Sequence, residues 1–167
     1  MEVRLDGWQP GEDVRRAVRH FWTTRASQAE KQSARGVTDR GLRGAATGGA
    51  QLDGFVDAIV ALLLKAGVRR DCIYLKKAIE LPGYYRPTKK WDLVVVRDGQ
   101  LLAALEAKSH VGSFGNNANN RAEEAIGSAV DLWTAYQEGA FNKSAQPWLG
   151  YLLLLEDHEQ SRKPKHP

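Results

Sequence analysis

Residues 91–109, WDLVVVRDGQLLAALEAKS, constrain the fold more strongly than any other stretch of the chain. Two apolar runs flank an Asp-Gly pair, which is the strongest short-range signal for a β-hairpin. Charged residues stand at the far ends of the runs, because Asp92 opens the first run and Glu106 and Lys108 close the second. The pattern therefore predicts two antiparallel strands whose open end carries two carboxylates and a lysine.

The register of this hairpin decides whether the charged residues share one face of the sheet. A two-residue Asp-Gly turn would place Glu106 on the face opposite Asp92. A three-residue loop, with Gly99 in the left-handed conformation and a G1 bulge, would pair Asp92 with Ala104. We favour this second register because it gathers Asp92, Glu106 and Lys108 together. The first register would bury Glu106 alone, which is costly.

The remaining periodicity predicts the order helix, helix, strand, strand, strand, helix, strand. Apolar residues recur at helical spacing over 12–33 and 51–66, and residues 71–81 indicate a strand. A third helix is expected after residues 119–120, one of which would cap it, with an inward face of Ala122, Ile126, Ala129, Trp133 and Tyr136. The apolar run at 147–155 is typical of a buried strand. We therefore predict an α/β fold with a central mixed four-stranded sheet flanked by helices.

Length and composition limit the class of protein. A chain of 167 residues with 43% hydrophobic and 26% charged residues is typical of one globular domain. We expect a single domain over 1–157, with a helix and basic loop over 1–50, a core over 51–157 and a disordered tail over 158–167. One cysteine excludes an internal disulfide framework. The absence of a secretory signal or long apolar segment predicts a cytoplasmic protein.

Basic residues are concentrated in two parts of the chain, whose formal net charge is +4. Eight arginines and lysines lie between residues 15 and 43. A second group, in YYRPTKK at 84–90, lies just before Asp92. Such clusters indicate either a solvated helix face or a surface that contacts phosphates, and both interpretations stay open at this point.

The three charged residues of the hairpin suit one kind of chemistry. Two carboxylates held close together repel each other unless a cation neutralises them, and their hard oxygen atoms suit Mg²⁺. A lysine two residues after the glutamate lies on the same strand face. It would orient an attacking water or neutralise charge on a pentavalent phosphorus. Metal-assisted phosphodiester hydrolysis needs this set, whereas the structural alternative is an ion pair at the edge of a sheet.

The same residues resemble a known nuclease signature. Asp92, thirteen further residues and then Glu-Ala-Lys are similar to the PD-(D/E)xK motif, with Trp-Asp in place of Pro-Asp. The longer string YYRPTKKWDLVVVRDGQLLAALEAKSHVGSFGNNANNRAEEAIGSAVDLWTAY resembles the XhoI-type type II restriction endonucleases. The resemblance runs from about residue 48 to 157, and GNNANNR makes it more specific.

That resemblance implies a Mg²⁺-dependent endonuclease that cuts double-stranded DNA as a homodimer. The implied target is CTCGAG, cut to leave 5′ overhangs, with a partner methyltransferase that protects the host. Asp92 and Glu106 would be metal ligands together with the carbonyl of Ala107, and Lys108 would be the catalytic lysine. The superfamily often adds an acid from the preceding helix. Asp53 is our candidate over the nearby Asp57, although a charge at a helix N-terminus explains Asp53 equally well.

Further residues are candidates for contact with DNA. Asparagine and arginine form bidentate contacts with adenine and guanine, and basic side chains bind phosphates. The asparagines also suit turns and helix caps, which is the structural alternative. The candidates are Arg86, Lys89, Lys90, Asn116, Asn117, Asn119, Asn120 and Arg121. Because the chain ends soon after its last strand, a truncated and catalytically inactive DNA-binding relative stays a second hypothesis.

Overall fold

The computed structural model describes residues 10–34, 49–75, 79–112, 114, 117–142 and 144–163. The chain divides into two compact units, Met1–Val68 and Arg69–Pro167. The second predicted helix thus groups with the first helix, whereas the sequence assigned it to the core. The single domain expected over 1–157 stays a prediction. No helix within the described ranges is long and apolar enough to cross a membrane.

The N-terminal unit contains two packed helices. Helix α1 spans Pro10–Ala34, a short 3-10 turn spans Gly49–Leu52, and helix α2 spans Asp53–Lys65. These bounds lie within two residues of the predicted ones. Each helix buries an apolar stripe: Ala17 and Phe21 on α1, and Phe55, Val56 and Val60 on α2.

The basic residues at the start of α1 form ion pairs on their own helix. Arg16 contacts Asp13, and Arg15 and Arg19 both contact Glu12. At least 65% of each of these arginine side chains is exposed, so a solvated helix face explains this part of the basic cluster. The predicted basic loop between the helices lies mostly at 35–48, outside the described residues.

The C-terminal unit is built on a four-stranded sheet. Its elements are β1 (Ile73–Leu75), β2 (Glu80–Pro82), β3 (Thr88–Lys90), β4 (Leu93–Arg97), β5 (Gln100–His110), α3 (Asn117–Gln137), β6 (Trp148–Leu155) and α4 (Glu159–Arg162). The strand order is β1-β4-β5-β6. Strand β4 is antiparallel to both β1 and β5. Strand β6 is parallel to β5, because α3 provides the crossover between them. The predicted mixed α/β sheet is confirmed.

Two local predictions differ from the structure. The strand expected over 71–81 is divided between β1 and β2, and β2 pairs with β3 in a separate two-stranded sheet. In the tail expected to be disordered, residues 159–162 form helix α4. The ring of His158 accepts the backbone N–H of Gln160, and the hydroxyl of Ser161 accepts that of His158. This capping box satisfies two backbone N–H groups and so supports a helix that composition alone does not predict.

The favoured hairpin register was wrong, although its consequence for the charged residues holds. Asp98 and Gly99 both have positive φ, so the turn contains two residues and Arg97 pairs with Gln100. A bulge then shifts the pairing within the strands themselves, where Leu102 is the additional residue. Beyond the bulge Leu93 pairs with Leu105, which places the preceding Asp92 beside Glu106.

One face of the sheet packs against α3. Val94 and Ala104 belong to a buried cluster that includes Leu132 and Ala135 of α3, and Trp91 and Leu101 join it. The bulge brings Leu101 to this face, because it pairs this residue with Val96.

The inward face predicted for α3 is right for Tyr136, which packs against the buried cluster, and wrong for Ile126. Ile126 is 64% exposed, whereas Ser128 and Asp131 are buried together with Leu132 and Ala135. The helix therefore turns polar as well as apolar side chains towards the sheet.

Candidate active site

Glu106 is the buried centre of the charged cluster. Glu106 and Lys108 are two residues apart on β5 and share a face. The Nζ atom of Lys108 lies 2.5 Å from Oε1 of Glu106, and Nζ of Lys89 lies 2.9 Å from Oε2. Only 5% of the Glu106 side chain is exposed. A buried carboxylate requires compensating charge, and here two ammonium groups supply it.

Lys89 was predicted to contact phosphate, and the structure also gives it a contact within the site. It lies on β3, its side chain is 14% exposed, and its Nζ lies 4.8 Å from the ring centroid of Trp91. The aromatic face favours a cation at this position. This contact could not be predicted from the sequence, because the prediction lacked the small β2–β3 sheet.

Asp92 lies just before β4 and is tied to β5. Its Oδ2 accepts the backbone N–H of Ala107 at 2.7 Å, and its own N–H donates to the carbonyl of Leu105 at 3.0 Å. In an extended strand the N–H and C=O of one residue point to the same side. The carbonyl of Ala107 therefore points towards the side on which Asp92 lies. Asp92, Glu106 and the carbonyl of Ala107 are thus brought to one end of the hairpin.

A cleft of about 530 Å³ opens over Glu106 and Lys108. Helix α3 contributes Glu124, Ser128 and Asp131 to its lining, and Tyr151 of β6 contributes as well. Asp92 is half-buried and is not among the lining residues. The cleft therefore borders Lys108 and Glu106 but not Asp92.

Asp131 organises the turn formed by Tyr84, Tyr85 and Arg86, the YYR turn, beside this cleft. It accepts the backbone N–H groups of Tyr84 and Tyr85 at 3.0 and 2.8 Å and the Nε–H of Arg86 at 2.8 Å. Burial by itself raises the pKa of Asp131, but these hydrogen bonds outweigh it and hold the pKa below its ordinary value. Sequence reasoning missed Asp131 because a polar residue on the inward face of a helix breaks the apolar repeat.

Tyr151 is a second cleft residue that the sequence did not single out. It pairs with Glu106 in the parallel ladder between β5 and β6. Burial raises the pKa of Tyr151 to about 12, and the negative charge of Glu124 adds to the effect. Its phenol is therefore protonated at neutral pH. Nothing in the apolar sequence of β6 distinguishes Tyr151 from its neighbours as a cleft residue.

The remaining basic candidates differ in their surroundings. Lys90 is exposed, 3.9 Å from Glu80, and Arg86 keeps 40% of its side chain exposed beside Asp131. Arg121 lies 2.5 Å from Glu124. Tyr84 and Tyr85 are 53% and 71% exposed, which argues against core packing for either.

The predicted asparagines lie around the start of α3. The helix begins at Asn117, earlier than the predicted cap at residue 119 or 120. Asn119 and Asn120 are exposed in its first turn. Asn116 and the side chain of Asn117 fall outside the described residues. Their contact with DNA stays a prediction.

The predicted additional acid belongs to the N-terminal unit. Asp53 is the first residue of α2 and is half-buried, whereas Asp57 is exposed. A metal-binding role for Asp53 stays a prediction.

The donor set at the hairpin end fits a hard divalent cation. Two carboxylates and a backbone carbonyl provide the oxygen ligands that Mg²⁺ prefers, and waters complete its shell in most protein sites. Within the described ranges no group of three or more acidic, histidine or cysteine side chains is arranged to hold a metal. Any ion at Glu106 would therefore share the carboxylate with two ammonium groups.

The strand order, with an aspartate before β4 and Glu-x-Lys late in β5, defines a restriction-endonuclease-like core. The chain belongs to the XhoI restriction endonuclease family, whose model, "Restriction endonuclease XhoI", matches residues 31–166. The predicted resemblance is thereby confirmed. No solved structure matches the chain significantly.

Three curated relatives are type II restriction enzymes. The chain is 55% identical to BstVI of Geobacillus stearothermophilus over 75% of its length, and 48% identical to AbrI of Azospirillum brasilense over 90%. It is 46% identical to XhoI of Xanthomonas vasicola, again over 90% of its length. The matches cover 59%, 68% and 61% of the three relatives, so the chain spans about three-fifths of their length.

Proposed function

We propose that this chain is a type II restriction endonuclease that hydrolyses phosphodiester bonds of double-stranded DNA with Mg²⁺, at CTCGAG. The observation that carries the proposal is the cluster formed by Asp92, Glu106 and Lys108 at the end of the β4–β5 hairpin, in a member of the XhoI family. The names of the relatives support the reaction class. Action as a homodimer on this palindrome, 5′ overhangs and a cytoplasmic location belong to the same proposal.

The metal would be held by Asp92, Glu106 and the carbonyl of Ala107. When bound there, Mg²⁺ acidifies a coordinated water and stabilises negative charge that develops on the phosphoryl oxygens. The residues of the chain prepare this site in two ways. The N–H of Ala107 fixes the Asp92 carboxylate, and the two lysines fix both oxygens of Glu106.

Lys108 would act as the catalytic lysine. Its side chain is 32% exposed and lines the cleft, so the ammonium is available to a phosphate while it contacts Glu106. A fixed positive charge there neutralises the phosphorane or orients the attacking water. The exposed cations Arg86 and Lys90 would contact neighbouring phosphates and position the duplex.

A plasmid with one CTCGAG site tests the proposal. We expect linearisation at that site with Mg²⁺ and none with EDTA. Asp92→Asn and Glu106→Gln should abolish cleavage with little change of shape, because each replaces a carboxylate by an amide of similar size. Asp98→Asn is the matched control, since it removes a carboxylate from the exposed turn of the same hairpin.

The second candidate function is a DNA-binding protein without catalysis. Both carboxylate oxygens of Glu106 already contact ammonium groups, which is the observation in its favour. It predicts salt-dependent binding of duplex DNA without nicking by any divalent metal. Equal cleavage by the wild type and both amide variants would exclude the proposed site, and binding without cleavage would favour this alternative.

A further inference from the structure

A second pocket lies in the C-terminal unit, next to the proposed active site. Its volume is about 390 Å³, within the range of about 300–1,000 Å³ that is usual for small-molecule sites. His110 at the end of β5, Tyr151 and Leu155 of β6, and Arg121 and Ala122 of α3 line it. None of the proposed catalytic residues belongs to it.

Three buried polar atoms in this lining have no hydrogen-bond partner within the part of the chain that the structure describes. They are Nε2 of His110, Nε of Arg121 and the hydroxyl oxygen of Tyr151. His110 as a whole is only 4% exposed. Because buried polar groups in folded proteins are nearly always hydrogen-bonded, three of them around one pocket indicate a ligand with a polar edge.

The rest of the wall suits the apolar faces of a flat ring. Phe114 is 5% exposed and lies between two imidazoles, with ring centroids 5.3 Å from His110 and 5.2 Å from His158. Three alanines of α3 and two leucines of β6 add to this apolar part of the wall, and the polar side chains of Gln160, Ser161 and Lys163 complete the lining. A nucleobase combines apolar faces with a polar edge, and proteins that bind an unstacked base use this combination of surfaces.

The position of the pocket connects it with the scissile phosphate. Tyr151 lines both the pocket and the catalytic cleft. His110 follows Lys108 by two residues on the same strand face, which corresponds to about 7 Å along β5. A base that belongs to a nucleotide with its phosphate at Lys108 is therefore within reach of the pocket.

We propose that this pocket receives one nucleobase of the bound DNA, unstacked from the duplex next to the cleaved phosphate. The proposal rests on the proposed function, because it requires duplex binding at the cleft. Nε of Arg121 only donates, so it pairs with an acceptor on the edge of the base. Tyr151 and His110 donate or accept, and they complete the recognition of that edge.

Mismatch scanning tests this directly. Affinity is measured by fluorescence anisotropy for CTCGAG duplexes with one mismatch at each position in turn, with Ca²⁺ present and with gels to verify that the DNA is intact. A mismatch normally weakens specific binding about tenfold or more. At the base pair whose base enters the pocket we expect binding about tenfold tighter, because pairing and stacking no longer have to be broken there.

Filling the pocket should remove this gain. Ala122→Trp places bulk inside the pocket from α3, and Leu155→Trp does so from β6 if the first variant misfolds. Ile126→Trp is the matched control, because Ile126 lies on α3 at 64% exposure and lines neither cavity. Circular dichroism verifies the fold of each variant.

The outcomes separate this pocket from the function itself. A single position with tighter binding, lost in Ala122→Trp or Leu155→Trp and kept in Ile126→Trp, supports the proposal. If every mismatch weakens binding, the proposal for this pocket is overturned and the proposed function is not. The pocket would then hold only water. A gain that survives both filling variants also overturns it. Failure to bind any duplex overturns both proposals.

Discussion

Lys89 lies outside the four-stranded sheet, yet its ammonium is 2.9 Å from Oε2 of Glu106 on β5. The other carboxylate oxygen is taken by Lys108. The proposed metal ligand is therefore held by cations from two different sheets. Lys89 keeps the buried carboxylate compensated in the absence of an ion, and it competes with any ion that binds there.

Replacing Lys89 by methionine should separate these two effects. Removing a cation next to Glu106 makes the site more negative, so we expect divalent cations to bind about tenfold more tightly, or about 1.4 kcal/mol. Cleavage should nevertheless decrease, because one oxygen of Glu106 loses the group that fixes it. Calorimetric titration with Ca²⁺ or Mg²⁺ measures the first effect and plasmid cleavage the second.

The matched control is Lys89→Arg, which keeps the positive charge beside Glu106 and should change metal affinity little. Weaker metal binding in Lys89→Met than in the wild type would contradict this competition.

Asp92 makes a structural hydrogen bond and is also proposed to bind metal, and one substitution can distinguish the two roles. Its Oδ2 accepts the N–H of Ala107, and an asparagine in its place still offers a carbonyl oxygen to that donor. If the structural bond were its only role, Asp92→Asn would keep its activity. We expect instead near-wild-type unfolding in urea together with loss of cleavage, because the amide lacks the negative charge that the proposed metal site requires.

Asp92→Ala provides the comparison for the hydrogen bond. It should lose about 1 kcal/mol of stability relative to Asp92→Asn, the usual contribution of one such bond. Equal stability of the two variants would show that the bond to Ala107 contributes little.

The hairpin shows how much of the site could be predicted from sequence. The Asp-Gly turn and the charged strand ends predicted which residues meet, and the structure places Asp92 beside Glu106. The path to that arrangement was not predictable. The bulge at Leu102 leaves no signature in a run of similar aliphatic residues, because nothing there marks which residue is left without a partner in the ladder.

For helix α3, the element itself was predicted and its buried face was not. Hydrophobic periodicity assigned Ile126 to its inward face, whereas the helix buries Ser128 and Asp131 because they line the cleft and hold the YYR turn. A helix that faces a functional cleft carries polar groups on its buried side, so the apolar stripe points elsewhere. The contact of Lys89 with Glu106 was likewise not predicted, because it depends on the small β2–β3 sheet.

Removing the Asp131 carboxylate should loosen the turn that carries Arg86. In Asp131→Ala two backbone N–H groups and the guanidinium lose their acceptor, which we expect to cost about 1–3 kcal/mol of unfolding free energy. Urea denaturation measures this loss. Glu138→Gln, at an exposed position just after α3, should leave stability unchanged.

The same interaction predicts a pH dependence. The pKa of Asp131 is lower in the folded protein than in the unfolded chain, where it is about 3.9. The stabilisation is therefore fully present above pH 4 and is lost as the pH falls through the lower folded value. The stability difference between wild type and Asp131→Asn should shrink over that acidic interval, and a constant difference down to pH 2 would contradict the assignment.

Gly83 is the point at which this turn allows no side chain. A Cβ added there would lie 2.6 Å from the carbonyl oxygen of Arg86 and would also collide with Oδ2 of Asp131. Because a backbone atom cannot move as a side chain does, Gly83→Ala should cost about 1–3 kcal/mol and weaken DNA binding by displacing Arg86. Gly127→Ala is the control in the same cleft, since nothing lies within 4 Å of its added Cβ. Within helix α3, Gly127→Ala should stabilise the protein by about 0.5–1 kcal/mol. Thermal unfolding measures the stability of both variants. A Gly83→Ala variant more stable than Gly127→Ala would contradict this account.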